Sequence, residues 1–118
     1  MTGNTGSYLQ YAHARARRIL EKSTVAAAFP AAIYDEDRAL VRKLTEYREI
    51  IELAADSLEP HHICAYLFEL AQEFNRYYEK NQVIGSGKEA HRAGLVAVYA
   101  DIIKAGLTIL GIVAPDKM

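Results

Sequence analysis

Between Tyr8 and Leu20 apolar residues return every three or four positions, so that Tyr8, Ala12, Ala16, Ile19 and Leu20 fall on one face of a helical wheel. Tyr11, Arg15, Arg18 and Lys22 fall on the neighbouring face. Ahead of them Gly3 and Gly6 bracket Asn4 and Thr5, a composition that favours a tight loop. Ser7 with Gln10 three residues on fits a capping box, which predicts a first helix from Ser7 to the Ser23-Thr24 breaker. Ser23 to Ile33 is a small-residue loop containing Pro30. Acidic residues at Asp35, Glu36 and Asp37 suit a first helical turn, and a second helix is predicted over 35–46, burying Leu40, Val41 and Leu44. A third, over 47–58, buries Ile50, Ile51, Ala54 and Leu58, and nothing between the two breaks them strongly.

Glu59-Pro60 punctuates the chain, with Pro60 suited to a first turn. A fourth helix over 60–82 carries the longest apolar repeat: Ile63, Tyr66, Leu67, Leu70, Ala71, Phe74 and Tyr78. After the Gly85-Ser86-Gly87 connector, a fifth helix over 88–110 turns Leu95, Val98, Tyr99, Ile102, Gly106 and Ile109 or Leu110 inward. Gly111 suits a C-terminal cap, and Pro115 prevents the helix from resuming. No stretch alternates as a strand does, and no segment repeats. The predicted architecture is all-α, a single bundle of about five helices spanning 1–118.

Composition agrees with one core: 118 residues are one domain by length, 51% hydrophobic and 25% charged. No apolar run reaches membrane-spanning length and the N-terminus lacks a charged-then-apolar leader, so a cytoplasmic protein without a membrane partner is expected. The single Cys64 has no internal disulfide partner, and its neighbours Ile63 and Ala65 point to a buried thiol. The net charge of −1 argues against coating nucleic acid by bulk electrostatics. The charge is uneven, however. Residues 1–22 set Arg15, Arg17, Arg18 and Lys22 against Glu21 alone, whereas residues 35–59 are rich in Asp and Glu.

The stripe Tyr11, Arg15, Arg18, Lys22 offers what a single strand of nucleic acid needs, a ring to stack a base on and cations for phosphates. A solvated basic face with a tyrosine at its edge has the same pattern. Tyr77 and Tyr78 are adjacent, so at most one faces fully inward and the other leaves a ring at the surface. The histidines do not make a metal site: His61 and His62 are adjacent and so expected on different faces, and His13 and His91 lack a second ligand at helical spacing. Glu69 and Glu73 read as the solvated side of an amphipathic helix. Gly85-Ser86-Gly87-Lys88 lacks the preceding strand of a phosphate loop, and no nucleophile elbow or triad pattern occurs.

GNTGSYLQYAHARARRIL resembles the opening of the DALR helical bundle, the anticodon-binding domain of arginyl-tRNA synthetases, with its G-N/D-T-x-P-Y-L/V-Q-Y-A-H/Y-x-R pattern. Ser7 stands where that pattern has proline; serine is a good N-cap, so the departure still allows a helix to start there. SLEPHHICAYLFELAQEFNRYYEK is similar to the family's central helix, and GLTILGIVAPDKM to its last helix and near-terminal P-E-R-M tail. The resemblance implies recognition of the anticodon loop of arginine tRNA in support of ATP-dependent ligation of arginine. It places the RNA-binding positions on Gly3 and Asn4 in the loop, on Tyr11 and Arg15, on Tyr78 and on Met118, with Tyr8 as a neighbour and Arg18 meeting phosphate. Where some relatives carry a second aromatic one turn after that tyrosine, this chain has Gln82, a hydrogen-bonding substitute.

The resemblance further implies that the domain needs no cofactor of its own, ATP with magnesium serving the family's catalytic domain, its second partner beside the tRNA. That domain's nucleotide-binding motifs do not occur in these 118 residues, so the chain is expected to bind and not to catalyse. Two other classes remain open on the sequence: a free-standing helical module using this fold for protein contacts, and a small enzyme working alone. RNA binding separates the first from an anticodon reader, and turnover with ATP, arginine and tRNA separates the second.

Overall fold

The computed structural model describes residues 4–28, 31–57 and 60–118. Five α-helices follow in order: α1 (Asn4–Lys22), α2 (Arg38–Thr45), α3 (Tyr47–Ser57), α4 (His61–Lys80) and α5 (Glu89–Ile109), with a 3-10 turn over Asp35–Asp37 leading into α2. No strand occurs among the described residues.

Side chains fix how the helices run. Tyr8 packs on Phe68 of α4, and Arg15 reaches Asn75 and Tyr78 further along it, so α1 and α4 are parallel. Ala28, beyond the end of α1, donates its N–H to Ala90 at the start of α5, while Ile112, beyond the end of α5, lies against Gly6. Those two helices are therefore antiparallel. Helix α2, separated from α3 by a single turn residue at Glu46, runs against α4 in the opposite sense: the Tyr77 hydroxyl donates to Asp37, and the Tyr66 hydroxyl to the Lys43 carbonyl.

The core lies where α1, α4 and α5 meet. Leu9, Leu67, Leu70, Phe74, Tyr99, Ile103 and Leu107 are fully buried, each stabilising by ~1.5–3 kcal/mol through removal from water. Phe74 stacks on Tyr99 with ring centres 4.0 Å apart and on Tyr78 at 5.8 Å, so three rings form a column from the core to the surface. A Cβ on Gly106 would stand 2.6 Å from Leu67 Cδ1, so glycine is what lets α5 come this close to α4.

Two buried carboxylates fasten the periphery. Asp37 accepts from His91 Nε2 at 2.7 Å, from the Tyr34 N–H at 3.0 Å and from the Tyr77 hydroxyl at 3.3 Å. Burial pushes the Tyr77 hydroxyl pKa up. Glu89 accepts from the Ser23 hydroxyl at 2.6 Å, the Gly85 N–H at 2.7 Å and the Thr24 N–H at 3.1 Å, which ties the loop after α1 to the start of α5.

Several local expectations give way to tertiary ones. The first helix begins at Asn4, and Ser7 is an exposed residue inside it. Gln10 does not close a capping box; its amide reaches the far end of the chain and donates to the Val113 carbonyl at 2.9 Å. Leu9, His13 and Ala14 are buried along with Ala16 and Ile19, because α1 is covered on more than one side. On α5 Val96, Ala100, Ile103 and Leu107 are buried whereas Val98 and Ile102 are only partly so, since α1 and α4 enclose a broader face than one periodic stripe. Helix α4 ends at Lys80, two residues short of the expected boundary, and Gln82 lies in the following turn. Leu58 lies outside the described residues.

Candidate nucleic-acid interface

The outer face of α1 and the last turns of α4 come together around Arg15. Its Nη1 donates to Asn75 Oδ1 at 2.9 Å, and its guanidinium lies over the Tyr78 ring at 5.0 Å. Asn75 in turn donates to the Tyr8 hydroxyl at 3.2 Å, and the Tyr8 ring packs on Phe68 at 5.2 Å. Four side chains from two helices thus fix one guanidinium, which has five N–H donors and spends one of them on Asn75. Tyr78 is rigid from behind because Phe74 backs it.

Tyr11 stands on the solvent side of Arg15 with 50% of its surface exposed, and the Arg18 guanidinium is 6.0 Å from its ring centre. A pocket lined by Arg15, Arg18, Ile19, Lys22, Tyr78 and Ile84, about 160 Å³ in volume, opens beside Tyr78. Three of its six walls are cations and none is acidic, so it favours anions.

The C-terminal tail approaches from the opposite flank of α1. Gly111, at φ +76°, closes α5: its N–H donates to the Thr108 carbonyl and the Ile112 N–H to the Leu107 carbonyl, the two bonds of a Schellman cap. Ile112 and Ala114 then pack against the core, whereas the Val113 side chain is 75% exposed. Of this apolar pair, the side chain of Ile112 alone pins the tail to the bundle. The Val113 carbonyl, not its side chain, makes the contact, by accepting from Gln10. His13 Nδ1 meets the Pro115 carbonyl at 2.8 Å. Met118 ends the chain with 62% of its surface exposed.

Among the residues expected from sequence, Tyr8, Tyr11, Arg15, Arg18 and Tyr78 are brought together by these contacts. Gln82 is not: its side-chain amide donates to the Ile84 carbonyl and its own carbonyl accepts from Arg92, so it builds the turn after α4. Asn4 opens α1, its side chain and all of Gly3 lying outside the described residues. Lys22, the last cation of the basic stripe, lines the pocket as well, whereas Asn75 and Ile84 join the site without a sequence expectation; the available signal for Asn75 is its place one turn before Tyr78 on the same α4 face.

The other candidate chemistries resolve into structure. Glu69 pairs with Lys43 at 2.7 Å and Glu73 with Arg76 at 3.1 Å. The His61 and His62 rings, although adjacent in sequence, lean together with centres 4.2 Å apart. Among the described residues no group of three or more His, Cys, Asp or Glu side chains is placed to hold a metal ion. No helix among them is long and apolar enough to cross a membrane. Burial raises the Cys64 thiol pKa, which disfavours the reactive thiolate.

Residues 9–118 match the DALR anticodon binding domain family. The chain belongs to that family. This DALR domain is 42% identical over 122 residues to the arginine–tRNA ligase of Geobacter metallireducens, an alignment covering 94% of this chain and 22% of the relative. It is 38% identical over 125 residues to the arginine–tRNA ligase of Thermobifida fusca, covering 100% of this chain and 22% of that protein. Its fold superimposes on the arginyl-tRNA synthetase of Thermus thermophilus with a TM-score of 0.86 at 34% identity, covering 99% of this chain and 22% of the other. The DALR domain thus spans under a quarter of the length of the ligases it matches.

Proposed function

We propose that this DALR domain binds the anticodon loop of an arginine tRNA and so supports ATP-dependent arginine–tRNA ligation by a cytoplasmic synthetase of which it is the anticodon-reading part. The observation that carries the reading is the Arg15 cluster: a guanidinium tethered to Asn75 and held over Tyr78, with the exposed Tyr11 ring and two further cations beside it. Family membership supports the same reading. Sequence-specific RNA recognition favours unstacked loop bases, which are stacked on aromatic rings and read at their edges. Here Tyr11 supplies the stacking surface. Arg15 supplies a base-edge donor, and Arg18 and Lys22 neutralise phosphates. Gly3, Asn4 and Met118 are counted with the site on the family resemblance. The domain brings no cofactor of its own; ATP with magnesium belongs to the catalytic domain, its partner in the parent ligase.

The test is a titration with an arginine-tRNA anticodon stem-loop, comparing the unaltered chain with Arg15→Ala. Loss of affinity at unchanged melting temperature is the expected result, and unchanged affinity would remove Arg15 from the site.

A further inference from the structure

Gln10 and His13 are polar residues on an otherwise packed part of α1, and both spend their side chains on the same segment. Gln10 Nε2 donates to the Val113 carbonyl at 2.9 Å and His13 Nδ1 meets the Pro115 carbonyl at 2.8 Å. A carbonyl only accepts, so the hydrogen sits on Nδ1 of His13. His13 is 1% exposed, so this bond forms away from competing water.

The registers match. Residues three apart on a helix share a face and rise about 4.5 Å. Carbonyls two apart on an extended chain point the same way and stand about 6.6 Å apart. Ala114 precedes a proline, which biases it to extended backbone, and the longer reach of Gln10 spans the remaining difference. Ile112 lies against Gly6, Val113 against Gln10 and Pro115 against His13, so the tail runs along α1 in the same direction as the helix. Ala14 lies on the flank between Gln10 and Arg18, turned away from Ala12 and Ala16, and is fully buried. Asp116, Lys117 and Met118 are exposed beyond it.

We infer that Gln10 and His13 are positioning residues for RNA recognition: they hold the tail by its Val113 and Pro115 carbonyls and deliver Met118, already ordered, to the flank of α1 next to Tyr11 and Arg18. Neither touches the RNA. The inference rests on the reading that Met118 belongs to the anticodon-loop site. A segment outside helix and sheet that nothing held would be mobile, and the RNA would have to order it at the cost of part of its binding energy.

The test uses the whole chain in five forms: unaltered, His13→Gln, His13→Asn, Gln10→Met, and a form lacking Lys117 and Met118. Steady-state heteronuclear NOE at the amides of Asp116, Lys117 and Met118 reports tail motion. Titration with an arginine-tRNA anticodon stem-loop at fixed salt reports affinity, and circular dichroism the fold. Asparagine carries its amide nitrogen where histidine carries Nδ1, and glutamine does not. His13→Gln is expected to loosen the tail and weaken binding roughly threefold to tenfold, the range for one lost hydrogen bond, while His13→Asn restores both. Gln10→Met, at a partly exposed position where folding is not at risk, is expected to give the same loosening and loss.

A tail that stays ordered in His13→Gln and Gln10→Met overturns the inference. So does a mobile tail with unchanged affinity in a protein whose affinity still falls when Lys117 and Met118 are removed; that result leaves Met118 in the site. Unchanged affinity in the shortened form overturns both the inference and the reading beneath it.

Discussion

The guanidinium of Arg15 lies over the ring of Tyr78, 5.0 Å from its centre, although the two residues come from different helices and stand far apart in the chain. Asn75 holds the cation from one side, and the Phe74–Tyr99 stack holds the ring from behind. A cation and a ring fixed in this way are ready for a ligand without further ordering, which is where binding energy is otherwise lost.

Arg15→Ala is therefore expected to weaken binding of an arginine-tRNA anticodon stem-loop by ~1–3 kcal/mol, the worth of a charge-assisted contact. Tyr11→Ala is expected to cost a similar ~1–3 kcal/mol through lost stacking. Both side chains face solvent enough for the melting temperature to move little. Titration at fixed salt beside a thermal melt checks this. Early melting with unchanged binding would make Arg15 a structural residue.

Gly106 tests the packing account. Alanine would gain ~1 kcal/mol of helix propensity, but its Cβ would stand 2.6 Å from Leu67 Cδ1. Leu67 is fully buried and cannot swing aside freely, and overpacking a core costs ~1–3 kcal/mol. Overpacking wins, so Gly106→Ala is expected to lower stability in a denaturant titration. Higher stability would mean that α4 and α5 are not in close contact there.

Glu89 gives the fold a dependence on pH. The Ser23 hydroxyl, then the Gly85 and Thr24 N–H groups, hold its carboxyl below the ordinary 4.5. A carboxyl depressed in the folded state stabilises above its unfolded value, and that contribution is lost as pH falls through the folded value. Glu89→Gln is expected to melt earlier than the unaltered chain at neutral pH. The gap should narrow as pH drops below the ordinary 4.5 and close in stronger acid. A gap independent of pH would show that the carboxylate charge is not what holds the loop.

What could be read from sequence followed the range of the interaction. The Tyr11, Arg15, Arg18, Lys22 stripe was visible because residues one turn apart share a helix face whatever surrounds them. Gly111 was visible as a cap because a Schellman turn is made within six residues. That Tyr77 and Tyr78 cannot both be fully buried follows from the angle between successive helical residues, but which of them is buried does not: the apolar repeat includes Tyr78, and the structure buries Tyr77 and leaves Tyr78 partly exposed. Gln10 fits a capping box by its spacing to Ser7, whereas its actual partner lies at Val113 and depends on the whole bundle. The partner of His13, the Pro115 carbonyl, is equally remote in sequence. The breadth of the buried face of α5 was hidden because periodicity reports one face, and two neighbouring helices cover more than one. The end of α4 at Lys80, two residues before Gln82, is not legible from periodicity, because the turn that Gln82 builds depends on Ile84 and Arg92 beyond the helix.

The most direct measurement is the affinity of the unaltered chain, at fixed salt, for an arginine-tRNA anticodon stem-loop and for the same hairpin with its anticodon bases replaced. Salt must be held constant because the phosphate contribution varies with it. A site that reads bases predicts tighter binding of the arginine hairpin, with ~1–3 kcal/mol lost for each replaced base that the domain contacts. Equal affinity for the two hairpins, or no binding to either, would contradict the account.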